Sequence, residues 1–317
     1  MTDPTTIAPA GPPTINAPGF YSGIPDELYH TGWIDVDGNV IKTWSRSQLK
    51  DWRSAPTPAH FLDPEPPRTR TQERKFDLGS AAHLLVLGKG PLLLDIGRDD
   101  WRSPKVNQAA EEFEARGGLA LRSRDYRMVQ DMAAATRHHP TAAEILSDGH
   151  AEVSGYWCDP ETHLWLRIRP DWLTGDEVDD YKTAESAAAD EFGKAVANYG
   201  YDMQTAMYLD VAQALGHPAR RFRYIVQEKT APFRVCVYEL DPDAVELGRW
   251  KYRTALAELA AALDADDFPG YPEETVTLSL PYWAFPRDWR TSQAVDGADP
   301  ETSTTGDVFA FLDSINQ

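Results

Sequence analysis

The sequence predicts an α/β (α+β) domain built round a central mixed β-sheet flanked by helices, and three observations predict it. Helical spacing dominates the stretch from about residue 46 to 139. At Glu152 the hydrophobic period changes to that of strands, and three short strand-like runs follow with turn residues between them. Helical patterns then return, followed by two more strands and a long Ala/Leu-rich helix.

Residues 1–19, MTDPTTIAPAGPPTINAPG, hold almost no periodic apolar residues and cannot offset the entropy of ordering, so they read as a disordered leader. In SRSQLKDWRS, Ser47 precedes Leu49 and Trp52, which predicts a short capped helix stopped by the Pro56/Pro58 pair. The run 79–88, GSAAHLLVLG, is bounded by glycines and mixes small with large apolar residues, as a buried helix does. Segments 105–117 and 123–139 are helical by spacing. The strand-like runs are EVSGYWCD, opening with Glu152, then HLWLRIRPDWL and EVDDYKT. Helices are expected over 186–199 and 202–215, strands in RRFRYIVQE and FRVCVYEL, and a last helix over about 242–264. Together 20–290 read as a single domain. The stretch 291–317 reads as an acidic flexible tail, in which Asp307 is a possible N-cap and Val308, Phe311, Leu312 and Ile315 fall on one helical face.

Composition narrows the class. Of 317 residues, 31 are Lys or Arg and 50 are Asp or Glu, so 31 − 50 gives a formal charge of −19. A polyanion is therefore not held by bulk charge, and any nucleic-acid contact needs a local basic surface; the Lys/Arg of KTWSRSQLKDWR, RTRTQERK and ARRFR are the expected phosphate track. Two cysteines, Cys158 and Cys236, exclude a disulfide scaffold, a four-thiolate zinc site and a four-cysteine iron–sulfur cluster; they read as small core residues on strands, in a reducing cytoplasm. No run approaches the ~18 apolar residues of a membrane span, so no membrane role is expected.

The chemistry lies in 167–183, RIRPDWLTGDEVDDYKT. Residues two apart on a strand share a face, so Asp180 and Lys182 project together while Tyr181 enters the opposite layer. By the same parity Asp179 faces away. A tight LTGDE turn would bring Asp171 beside Asp180 at the open edge of a hairpin. Two carboxylates converging beside an ammonium can hold Mg²⁺ or Mn²⁺, since hard cations take oxygen ligands, and the amine can orient or activate water. Downstream, Gln204 and Tyr208 in YGYDMQTAMYLD sit one helical turn apart on one face. His138 and His139, just before Pro140, suit a helix C-terminus and read as a solvated end.

As an ordered set, GSAAH with His83, Glu152, RIRPD ending at Asp171, DYK over 180–182 and the Q-x-x-x-Y of Gln204 and Tyr208 resembles the RecB-like branch of the PD-(D/E)XK nucleases. Within that branch it is most similar to the RecE-type exonuclease (exonuclease VIII) domain common in phages and prophages, over about 45–289. The resemblance implies a restriction-endonuclease-like core. It also implies His83, Asp171 and Asp180 as metal ligands with the Tyr181 carbonyl, Lys182 aligning and helping to deprotonate the attacking water, and Glu152 at the edge of the site on a second metal or its water. Gln204 and Tyr208 would contact the DNA strand and brace the pocket.

The function so implied is a Mg²⁺- or Mn²⁺-dependent exodeoxyribonuclease acting 5′→3′ on ends of linear double-stranded DNA. It would leave 3′ overhangs for a RecT-like single-strand annealing protein in phage-type recombination, as a ring-like homo-oligomer in the cytoplasm of a bacterial host. Two other classes stay open: a structure-specific or restriction-like endonuclease, and a non-catalytic acidic protein that binds a DNA-processing enzyme. No Walker A sequence is present, so a helicase motor is not expected.

Overall fold

The computed structural model describes residues 15, 17–31, 33–36, 39–63 and 70–286. Most of the expected leader, and the whole amphipathic stretch 307–315 of the expected tail, lie outside the described residues. In chain order the elements are β1 (Gly19–Tyr21), α1 (Asp26–Thr31), β2 (Trp33–Val36), β3 (Asn39–Trp44), α2 (Arg46–Ser54), α3 (Pro58–Leu62) and α4 (Arg70–Leu87). Next come β4 (Leu93–Asp95), α5 (Pro104–Glu114), β5 (Leu119–Leu121), α6 (Ser123–His138), α7 (Pro140–Ile145), β6 (His150–Ala151), β7 (Ser154–Cys158) and β8 (Trp165–Ile168). The series ends with β9 (Trp172–Leu173), β10 (Glu177–Ala184), α8 (Ala189–Tyr199), α9 (Tyr201–Ala214), β11 (Arg221–Glu228), β12 (Val235–Glu239) and α10 (Pro242–Ala265). The described residues to Gly270 form one compact unit; the described residues from Tyr271 to Pro286 belong to a second, with a 3₁₀ turn at Tyr282–Ala284.

The mixed α/β class is as expected, but the strands divide between sheets. One five-stranded sheet has the order β1-β7-β8-β3-β2, another the order β12-β11-β10-β9-β6, and β4 pairs with β5 separately. The break falls inside LWLRIRPDWL, which reads as one strand in the sequence. Pro170 has no N–H to give to a ladder, so pairing stops there. Upstream, β8 pairs with β7 and β3; downstream, β9 pairs with β10 and β6. Asp171 therefore lies at the passage from one sheet to the other.

β10 is the structural centre. It runs parallel to β11 through eight residue pairs and antiparallel to β9, and its two faces enter different cores. Val178 joins Leu49, Phe192, Met203, Met207, Phe222, Leu256 and Leu259 in the core under α2, α8, α9 and α10. Tyr181 joins Ala81, Ala82, Val129, Met132, Ile145 and Ile225 under α4, α6 and α7. Each fully buried leucine contributes about 1.5–3 kcal/mol by leaving water. This two-sided burial fixes the parity of 180 and 182, because a one-residue slip would exchange the two apolar sets.

Local chemistry sets the helix ends. The cap of α2 is Ser45 and not Ser47: its hydroxyl accepts from the Gln48 N–H and the Gln48 side chain accepts from the Ser45 N–H, a complete capping box. Asp241 caps α10 by accepting from the Ala244 N–H at 2.8 Å, with Pro242 at the first helical position. His139 caps α7 through Nδ1, 3.2 Å from the Ala142 N–H, so this histidine begins a helix as well as ending one.

Gly248 lets α10 lie against α9, since a Cβ there would stand 2.1 Å from the Asp202 carbonyl oxygen. Gly248→Ala is expected to cost about 1–3 kcal/mol by forcing the helices apart. A thermal-unfolding midpoint equal to that of the wild type would contradict this close approach. Among the described residues no helix is long and apolar enough to cross a membrane.

Candidate active site

Three elements and one connection converge where the two sheets part. From α4 comes His83, one helical turn beyond Gly79; from the β9 entry comes Asp171; from β10 come Asp180 and Lys182. Glu152 lies between β6 and β7, not on the strand it was expected to open. Its φ is +54°, an uncommon left-handed conformation for a residue with a side chain, and its N–H donates to the Asp171 carbonyl at 3.2 Å. That bond ties the Glu152 connection to the Asp171 passage.

The hairpin places the carboxylates as the parity requires. With Val178 opposite Leu173 and Asp179 opposite Trp172, Asp171 falls beyond the paired residues, and its Oδ2 accepts from the Tyr181 N–H at 2.8 Å. Asp180 is 2% exposed; its Oδ1 accepts from Gln204 Nε2 at 2.5 Å and its Oδ2 is ion-paired with Lys182. Asp180 Oδ2 is buried, with the Lys182 ammonium as its partner. Lys182 Nζ also lies 5.0 Å from the Tyr201 ring centroid. Asp179 points the other way and binds Arg223 at 2.6 Å.

His83 bridges the acids, with Nε2 3.1 Å from Asp171 Oδ1 and Nδ1 3.4 Å from Glu152 Oε1. Burial alone would lower its proton affinity, but Asp171, Glu152 and Asp180 outweigh that and hold it up at about 9. Asp180 is raised to about 6 by burial and then by the like charge of Asp171. Asp171 moves down: burial opposes, and the His83 charge and hydrogen bond prevail. Lys182 is raised despite burial because Asp180 and Asp171 face it. The amine is thus held protonated, which suits it to orienting and stabilising charge and not to accepting the proton of a water.

Whether these residues fit a metal depends on donor chemistry and placement. As placed, the described residues contain no group of three or more His, Cys, Asp or Glu side chains arranged to hold an ion. The reason is mutual pairing, since a protonated His83 lies between Glu152 and Asp171 while Lys182 and Gln204 engage Asp180. The donor set nevertheless fits a hard divalent cation. Glu152, Asp171 and Asp180 offer carboxylate oxygens around the one imidazole of His83 in a largely buried site, and loss of the His83 proton would free a ring nitrogen for the ion.

Gln204 and Tyr208, expected at the DNA strand, are both buried. Gln204 is 3% exposed, with its amide engaged by Asp180 and, at 3.4 Å, by Arg46. Tyr208 is buried against Phe222, ring centroids 5.9 Å apart. Both brace the site, and direct DNA contact does not suit their burial. The expected basic track is also corrected at ARRFR: Arg221 is paired with Glu177, Arg223 with Glu177 and Asp179, and Arg220 lies 3.6 Å from Asp176. Among the side chains of RTRTQERK none is described.

Two residues were not expected beside the site: Arg46, read as part of the basic track in KTWSRSQLKDWR, and Arg169. Arg46 bonds the Tyr199 carbonyl at 3.0 Å as well as Gln204. Arg169 stands 3.8 Å from Glu152. The available signal for Arg169 was its parity: two residues before Asp171, in the quoted motif RIRPD.

The model of a family described as a PDDEXK-like domain of unknown function (DUF3799) matches residues 45–279. No curated protein matches the chain. Among solved structures, a candidate exonuclease from Eubacterium rectale is similar at 13% identity and TM-score 0.51, covering 76% of this chain and 92% of its own. An alkaline exonuclease from Laribacter hongkongensis is similar at 13% identity over 61% of this chain and 95% of its own, with TM-score 0.25. At such identity the first likeness speaks to the fold alone, and the second carries no argument.

Proposed function

The chain belongs to the family of PDDEXK-like domains (DUF3799), and from that premise we propose that it is a metal-dependent nuclease hydrolysing phosphodiester bonds of DNA. The observation that carries the reading is the Tyr181 N–H bond to Asp171, which sets Asp171 and Asp180 together with Lys182 beside them. His83, on giving up its proton, would join Asp171 and Asp180 in holding a divalent ion, with Glu152 at its edge and the Tyr181 carbonyl as a further ligand. Bound there, the ion supplies charge neutralisation at the scissile phosphate and a more acidic water. Lys182 would orient the attacking water and meet developing negative charge. Gln204 holds Asp180 in place, and Tyr208 fills the core beneath it.

The finer reading is a RecE-type exodeoxyribonuclease of phage kind. It would digest one strand of linear duplex DNA 5′→3′ and hand a 3′ overhang to an annealing protein, as a ring-like oligomer. Its support is the motif set, carried on the fold that the chain shares with the candidate exonuclease. End-labelled linear duplex and covalently closed circular DNA, each with Mg²⁺ and with EDTA, test it. The expected result is Mg²⁺-dependent release of mononucleotides from the linear substrate alone. Cutting of the circle would move the assignment to an endonuclease, and no cleavage by folded protein would favour the acidic binder.

A further inference from the structure

Arg169 joins the candidate site to a part of the chain that precedes the family match at residue 45. Its side chain is 9% exposed, and each nitrogen of its guanidinium makes one hydrogen bond. Nε donates to Ser154 Oγ at 2.9 Å, Nη2 to the Ile24 carbonyl at 2.9 Å and Nη1 to Asp26 Oδ1 at 2.6 Å, while the Tyr29 ring centroid lies 3.9 Å away. Glu152 Oε2 stands 3.8 Å from the same Nη1. Charge-assisted N–H···O bonds run at about 2.7–2.9 Å, so the bond to Asp26 is made and the one to Glu152 is not. Glu152 thus has a cation on each side, His83 Nδ1 at 3.4 Å and Arg169 at 3.8 Å.

We propose that Asp26 is a positioning residue: by engaging Arg169 it keeps the Glu152 carboxylate free of that guanidinium and turned towards His83 and Asp171, so that the N-terminal segment completes the site. The value of Glu152 to a metal rests on the nuclease reading; the competition for Arg169 does not. Without Asp26, the Arg169 Nη1 would be a nearly buried charge lacking its partner, a strong drive to take the nearest carboxylate. That carboxylate is Glu152, which needs only about 1 Å of movement to bond, away from His83. The left-handed backbone of Glu152, tied to the Asp171 carbonyl, leaves side-chain rotation as the means of doing so. Asp26 is 70% exposed at the start of α1, so its exchange for Asn disturbs little else.

The full-length chain tests this with Asp26→Asn, Glu152→Gln and the double variant, in two measurements. In EDTA, Glu152→Gln is expected to lower the urea midpoint more in the Asp26→Asn background than in the wild type, because the Glu152–Arg169 bond exists only there. With Mn²⁺, Asp26→Asn is expected to weaken binding by calorimetry roughly tenfold, the order seen for groups that orient metal ligands, and Asp26→Glu to regain most of it. In the Glu152→Gln background Asp26→Asn should leave Mn²⁺ affinity unchanged. Additive urea midpoints, or an equal Mn²⁺ loss in both backgrounds, would overturn the proposal. A wild-type chain that takes no Mn²⁺ would instead sink the nuclease reading, and the urea cycle would still decide the role of Asp26.

Discussion

Asp180→Ala is expected to abolish Mg²⁺-dependent cleavage, a loss on the order of 10³-fold or more, because charge stabilisation by a bound metal is worth several kcal/mol and each 1.36 kcal/mol is tenfold. The chain should stay folded. Asp180 is buried, paired with Lys182 and bonded to Gln204, yet its carboxyl is raised from the ordinary 3.8 to about 6 by burial and by Asp171. A folded state that holds the proton more tightly gains stability below the ordinary value and loses it as pH rises from about 4 to about 6. At pH 8 the ionised group is therefore a burden on the fold. Asp180→Asn keeps an oxygen for the Gln204 amide and removes that burden, so its urea midpoint relative to wild type should improve between pH 4 and pH 8. Asp171 is shifted the opposite way, but it is present in both chains and largely cancels in the difference. Cleavage retained in Asp180→Ala would end the assignment of this site.

What could be read in advance were properties of local period. The parity of Asp180, Tyr181 and Lys182 follows from strand alternation alone, and the structure puts Tyr181 and Val178 in different cores accordingly. Helices α6, α8, α9 and α10 lie within a few residues of the expected spans because their apolar spacing is unbroken. Sheet membership is another matter, since it depends on which distant strand supplies the ladder. Pro170 was visible as a residue without an N–H, but its consequence, a change of sheet just before Asp171, needs knowledge of β3, β7 and β10 together. The short strands β1 to β3 escaped because their own runs are too short to show a period, and β1 and β3 also pair with strands more than 100 residues away. Burial misled for Gln204 and Tyr208, because spacing on a helix gives the shared face but not what covers it. Charge pairing was hidden for Arg221 and Arg223, which are matched across the β10–β11 ladder by Glu177 and Asp179, residues remote in sequence.

Lys182→Ala is expected to keep metal and DNA binding while slowing turnover roughly 10²–10³-fold, the cost of removing one donor aimed at developing charge. The ammonium is held in position from three directions: strand parity points it to the Asp180 side, its ion pair with Asp180 fixes its reach, and the Tyr201 ring closes the space 5.0 Å away. The same carboxylates keep it charged. As a cation it competes with a metal for Asp180 and cannot itself be a ligand, so its loss should leave metal affinity equal or improved. A ligand's loss, as in Asp180→Ala, would weaken it. Calorimetric Mn²⁺ titration beside single-turnover cleavage separates the two effects. Lys182→Arg is not expected to restore the rate. A planar guanidinium is larger than the ammonium and must fit between Asp180 and Tyr201, where a turned fork would engage the carboxylate on two nitrogens and withdraw it from the metal. A near-normal rate in Lys182→Arg would show that positive charge alone is used at this position, and that the size and orientation of the amine are immaterial.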